Sequence, residues 1–121
     1  MKLLFKEDIF GMANINKDEY PNLPVNIWVK QNDGKSKHGP RIKVQNNTSA
    51  NIQPGATISV SISKTPEIKA GKSKLDAKTL SWVYEFITDN YELLIQHYNG
   101  QISDRTLLNT IYDILEGENQ K

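Results

Sequence analysis

Thr57-Ile58-Ser59-Val60-Ser61-Ile62-Ser63 decides the fold. Its even-numbered residues are β-branched and apolar and its odd-numbered ones carry small hydroxyls, a period of two that marks a strand with one buried and one polar face. Such a strand needs partners on both sides. Upstream, Val25, Ile27 and Val29 alternate with Asn26, Trp28 and Lys30, and Ile42 and Val44 alternate with Arg41, Lys43 and Gln45. Both stretches read as strands. Two polar loops, 31–40 and 46–55, rich in Gly, Pro, Asn and Ser, separate the three. Downstream, Glu67-Ile68-Lys69 after Pro66 is a shorter fourth candidate. Residues 1–24, closed by Tyr20-Pro21-Asn22-Leu23-Pro24, read as an N-terminal arm or an edge strand.

The period then changes. Leu80, Tyr84, Ile87, Tyr91, Leu94, Ile95 and Tyr98 recur at three and four residues, which predicts one helix of about 22 residues, with Asp76 as its N-cap and Gly100 as its terminator. A second helix is expected from Ser103, carrying Leu107, Leu108, Ile111, Tyr112, Ile114 and Leu115 on its buried side and stopping at Gly117. Strands followed by helices describe an α+β domain: an antiparallel sheet of three to four strands over residues 25–70, packed on one face by two C-terminal helices over residues 76–117. At 121 residues and 37% apolar content the chain suits a single core. The expected helix-facing residues are Val25, Ile27, Val29, Ile42, Val44, Ile58, Val60 and Ile62.

Composition narrows the chemistry. The chain has no cysteine, which removes disulfides, thiolate metal sites and thiol nucleophiles together. No apolar run has the length of a membrane span, and the start, Met1-Lys2-Leu3-Leu4-Phe5-Lys6-Glu7-Asp8, is charged again too soon for a signal peptide. A cytoplasmic protein without membrane partner is the expectation. The net charge of +1 conceals a segregation: residues 25–78 hold ten Lys/Arg against three acids, residues 79–121 two against seven, and residues 1–24 three against four. Basic strands and acidic helices are therefore expected.

Pairing the first two sheet strands across the loop 31–40 sets Trp28 opposite Lys43, Lys30 opposite Arg41 and Asn26 opposite Gln45. The face away from the helices then carries Asn26, Trp28, Lys30, Arg41, Lys43 and Gln45, followed by the hydroxyls of Thr57, Ser59, Ser61 and Ser63, with Lys35, Lys37 and His38 in the adjoining glycine-containing loop. An exposed indole among cations suits a stacked base or a phosphate backbone. The structural alternative is that Trp28 covers the basic stems or packs under the N-terminal arm. The loop lacks a Walker pattern, and its lysines also serve an ordinary solvated hairpin tip. His38 and His97 are the two residues of a type suited to acid–base work near neutral pH, but no spacing brings them together, and His97 suits a helix C-terminus. Glu85, Asp89 and Glu92 share one helix face without the further ligands a metal needs, and Ser59, Ser61 and Ser63 lack an accompanying base. No catalytic residue, metal or cofactor is expected.

Lys37-His38-Gly39-Pro40-Arg41-Ile42-Lys43-Val44, between one strand and a helix bearing Trp82, Tyr84 and Tyr91, resembles a small bacterial domain of unknown function often found near toxin–antitoxin genes. That family carries a His-Pro-Pro-His-Val-His-Val-like strand, of which His38, Pro40 and Val44 match and Arg41 and Lys43 replace later histidines. In element order the resemblance covers residues 23–98. It implies a bacterial or phage mobile-element setting and no particular activity. Together these readings lead to a binding module for nucleic acid or a phosphate-bearing ligand through Trp28, Lys30, Lys35, Lys37, His38, Arg41 and Lys43. The alternative is a small regulator or inhibitor that docks on a protein partner, or on a second copy of itself through its oppositely charged layers.

Overall fold

The computed structural model describes residues 12–20, 22–32, 34 and 39–119. Among them lie five strands and three helices: β1 (Ala13–Ile15), β2 (Ile27–Val29), β3 (Arg41–Gln45), β4 (Thr57–Ser61), β5 (Ile68–Ala70), α1 (Ala77–Asp89), α2 (Tyr91–Tyr98) and α3 (Asp104–Asn119). The strands form one antiparallel meander in the order β1-β2-β3-β4-β5. The fold is α+β, with one strand and one helix more than expected.

The two periodicities explain the layers. Alternation sends Ala13, Ile15, Ile27, Val29, Ile42, Val44, Ile58, Val60 and Ile62 to one side, where they form a single cluster with Val25, Leu23 and helical Val83, Phe86, Ile87, Leu94, Leu107 and Ile111. All eight residues expected to face the helices belong to it. Register follows the same logic: Trp28 pairs with Lys43 and Ile27 with Val44, and the Asn26 carbonyl accepts from the Gln45 N–H at 3.0 Å.

Two expectations about the helices are corrected. The single long helix is broken at Asn90, whose backbone (φ −116°, ψ 23°) leaves the helical region. Its side-chain amide donates to the Phe86 carbonyl at 2.9 Å, the same carbonyl that its backbone N–H reaches at 3.2 Å. The apolar spacing runs through the break, with Val83, Phe86 and Ile87 buried in α1 and Leu94 buried in α2. Gly117 does not stop the last helix, which runs to Asn119. Gly100, by contrast, ends α2 as expected. At φ 76° it permits the Gln101 N–H to reach the Gln96 carbonyl and its own N–H to reach the His97 carbonyl, closing the helix. Asp76 caps α1, and its hydrogen bonds from Thr79 hold its carboxyl below the ordinary value.

Helix α3 docks on the edge strand β1 through Tyr112. Its hydroxyl donates to a Glu19 carboxylate oxygen at 3.1 Å, and its ring stacks on Tyr20 with centroids 4.5 Å apart. Burial, reinforced by the Glu19 charge, pushes the Tyr112 hydroxyl pKa up, so it remains a proton donor throughout the neutral range.

The other sheet face is closed as well. Trp28, Asn26 and Gln45 are fully buried, and Ser59 and Ser61 are nearly so, although none of these belongs to the helix-facing cluster. The exposed indole expected at Trp28 is therefore not present: alternation reveals which side chains share a face and carries no information about what lies over it. Asn26 and Gln45 instead organise the loop 46–55. The Gln45 side chain accepts from Asn26 Nδ2 and from the Gln53 N–H, and donates to Asn47 Oδ1 and the carbonyls of Ser49 and Asn51.

Candidate anion-binding cleft

Pro40 leads into β3, and the hairpin register then fixes where its cations stand. Arg41 and Lys43 lie two residues apart on the same face, roughly 7 Å from each other along the strand. Continuing the observed register beyond Val29 brings Lys30 beside Arg41. All three remain half-exposed while the face around them is buried. They line one cleft of about 300 Å³ together with Met12, Gln31, Asn32, Gly39, Ser59, Ala70 and Tyr98.

A second cleft of about 510 Å³ adjoins the first, sharing Gly39, Arg41 and Ala70 and extending past Ser61 and Ser63 to Lys69. Arg41 stands where the two meet. Among the described residues its guanidinium has no hydrogen-bond acceptor and no carboxylate partner. Lys69 is different, because its ammonium lies 2.7 Å from Glu67 Oε1. That hydrogen bond, and the charge behind it, hold the Glu67 carboxyl below its ordinary value. A depressed carboxyl pKa means the pair is intact above the unfolded value and is lost only as pH falls through the lowered one. At neutral pH Glu67 therefore opposes any anion in the second cleft. Glu67→Gln is expected to strengthen pyrophosphate binding by roughly threefold in a calorimetric titration at low salt, with the gain vanishing at high salt.

Of the sequence-derived site residues, the fold brings Lys30, Arg41 and Lys43 together. Trp28 lies beneath them in the sheet as the cross-strand partner of Lys43 and is not a lining residue. Lys35, Lys37 and His38 lie outside the described residues. Tyr98 was not anticipated at the site, because its spacing places it in the apolar stripe of its helix. The available signal was its position in the last turn before Gly100, where a helix face ends and a side chain can leave the core.

The wall that Tyr98 forms is tied to the sheet. The Asn32 N–H donates to the Tyr98 carbonyl at 2.9 Å and Gln31 Nε2 donates to the Ile102 carbonyl at 2.9 Å. Just behind it, His97 is fully buried with Nε2 2.6 Å from Asp104 Oδ1. A histidine so enclosed serves to join α2 to α3 and has no access to a substrate. The expected position of His97 at a helix C-terminus is observed, but its partner is the first residue of the next helix.

Two other concavities are spent on structure or mixed in charge. One, of about 700 Å³, runs beside Asn46, Lys74 and Asp76. There the Asn46 amide bonds the Lys72 carbonyl and the Lys74 N–H, and Asp76 caps its helix. Another of about 610 Å³ sets Lys17 and Lys78 against Glu85 beside Trp82, which stacks on Phe86 at 5.2 Å. Among the described residues no group of three or more His, Asp or Glu is placed to hold a metal, and no helix is long and apolar enough to cross a membrane. No family model, no curated protein and no solved structure matches the chain.

Proposed function

We propose that this protein is a non-enzymatic binding module whose paired clefts take a phosphate-bearing ligand, nucleic acid included. The observation that carries the reading is Arg41, a partly exposed guanidinium without a partner among the described residues, at the junction of two clefts lined by Lys30, Lys43 and Lys69. A guanidinium offers a planar fork of donors that matches two phosphate oxygens at once, whereas lysines act as point charges around it. The partly buried surroundings screen the attraction less than open water does. Ser59 and Ser63 add neutral hydroxyls along the same path.

The test is the salt dependence of binding to a labelled ten-nucleotide oligothymidylate, followed by anisotropy, with inorganic pyrophosphate as competitor. Engagement of three to four phosphates gives a slope of log K against log salt of roughly −2 to −3. Arg41→Gln is expected to weaken binding about tenfold and to flatten the slope by about 0.7. Absence of binding to both probes at low ionic strength, or a slope near zero, would overturn the reading.

A further inference from the structure

We infer that the ligand is a single nucleic-acid strand, with one base stacked on Tyr98 and the phosphate backbone running past Arg41 into the second cleft; this rests on the anion-binding reading above. Among the described residues Tyr98 is the aromatic side chain that lines the cleft with Lys30, Arg41 and Lys43. Trp28 is enclosed within the sheet and has no face to offer. Every base has a π-face, so a ring beside a row of cations binds a strand without reading its sequence.

The ring is held in advance. Its backbone is locked by the turn at Gly100 and by the bond from the Asn32 N–H, so little freedom is lost when a base arrives. Its hydroxyl has no protein partner among the described residues, and the ring is only partly buried. A volume of about 300 Å³ stands at the small end of ligand sites, which suits one nucleotide unit and not a duplex. A lone nucleotide would leave the larger neighbouring cleft unused. The cleft shares Arg41 with the first and continues to Ser63 and Lys69, a route for further phosphates. Spacing of roughly 7 Å between Arg41 and Lys43 along β3 is close to that of successive phosphates in an extended strand.

The experiment compares three probes on the full chain: the labelled ten-nucleotide oligothymidylate, an abasic oligomer of equal length, and inorganic pyrophosphate, with thymidine monophosphate as a further competitor. For the oligothymidylate, Tyr98→Ala is expected to weaken binding about tenfold and Tyr98→Phe less than twofold, since the ring does the stacking. The abasic oligomer should bind the unaltered protein about tenfold more weakly than oligothymidylate and be indifferent to Tyr98→Ala. Pyrophosphate affinity should not change in either Tyr98 variant. The abasic probe on the unaltered protein keeps the inference testable even if Tyr98→Ala fails to fold. Equal binding of abasic and thymidylate oligomers, with Arg41→Gln still weakening both, would overturn base stacking and leave the anion-binding cleft standing. Thymidine monophosphate competing as strongly as the oligomer would overturn the strand in favour of a single nucleotide. Failure of every probe to bind would remove both readings.

Discussion

Trp28→Ala is expected to lower the unfolding free energy by about 3–5 kcal/mol, read as a shift of the urea midpoint followed by far-UV circular dichroism. Trp28 is fully buried in β2, between Asn14 of β1 and Lys43 of β3. Truncation removes the largest fully buried side chain among the described residues and leaves a void that close-packed neighbours fill only in part. An indole standing on an open sheet face would behave otherwise, since exposed substitutions usually fall within about 0.5 kcal/mol. The measurement therefore decides between a packed and a presented Trp28. A Trp82→Phe background isolates its fluorescence, which should resist quenching by acrylamide. A loss below about 1 kcal/mol together with ready quenching would contradict the burial on which the role of Tyr98 depends.

The second large effect is expected at Gln45→Leu, at about 3–5 kcal/mol of destabilisation. The loop 46–55 has no secondary structure of its own and is wrapped around this one amide. Oε1 accepts from Asn26 Nδ2 at 3.2 Å and the Gln53 N–H at 2.9 Å. Two Nε2 protons serve Asn47 Oδ1 at 2.9 Å, the Ser49 carbonyl at 3.1 Å and the Asn51 carbonyl at 3.0 Å. Leucine fills nearly the same volume yet strands partners on both sides, each costing about 1–3 kcal/mol when left buried and unmet. Gln45→Glu sharpens the test. A carboxylate keeps the acceptors but turns two donors into negative charge facing three oxygens, so its folded-state pKa should rise above the unfolded value. By linkage the variant should then regain stability as pH falls toward 4, where the carboxyl protonates and donates again. Hydrogen exchange at the Gln53 amide should accelerate in both variants, in step with the stability lost.

Both substitutions bear on the site indirectly. Trp28 and Gln45 hold β2 and β3 in register, and that register puts Lys30, Arg41 and Lys43 on one face. Loss of the strand pairing would scatter the cations, so Trp28→Ala and Gln45→Leu should lower stability and affinity together, whereas Arg41→Gln should lower affinity with little change in unfolding.

Local chemistry carried much of this structure into the linear sequence. The period of two at Ile58, Val60 and Ile62 identified a half-buried strand because successive side chains must point to opposite faces. The same alternation in Val25–Lys30 and Arg41–Gln45 specified a hairpin register, and hence the cationic trio, since a slip of one residue would turn valines and isoleucines to the wrong face. Caps at Asp76 and Ser103 and the turn at Gly100 were readable for equally local reasons: the Ser103 hydroxyl accepts from the Thr106 N–H at 3.1 Å, as a capping residue should. The short candidate near Ile68 is β5, the neighbour that β4 required.

What was hidden depended on side-chain contacts that periodicity does not encode. Burial of Trp28 reflects whatever meets that face, and alternation is silent on it. At the break, the Asn90 side-chain amide shares the Phe86 carbonyl with its own backbone N–H, a local detail that an unbroken apolar stripe conceals. Asn26 and Gln45 looked like solvent-facing polar residues because their partners come from a loop with no periodicity to read. Tyr98 enters the cleft because Asn32 and Gln31 bind the corner between α2 and α3, bringing a helical ring to the mouth of the basic hairpin. Periodicity assigns each residue a side of its own element; which elements then meet, and what is enclosed between them, follows from packing of the whole chain.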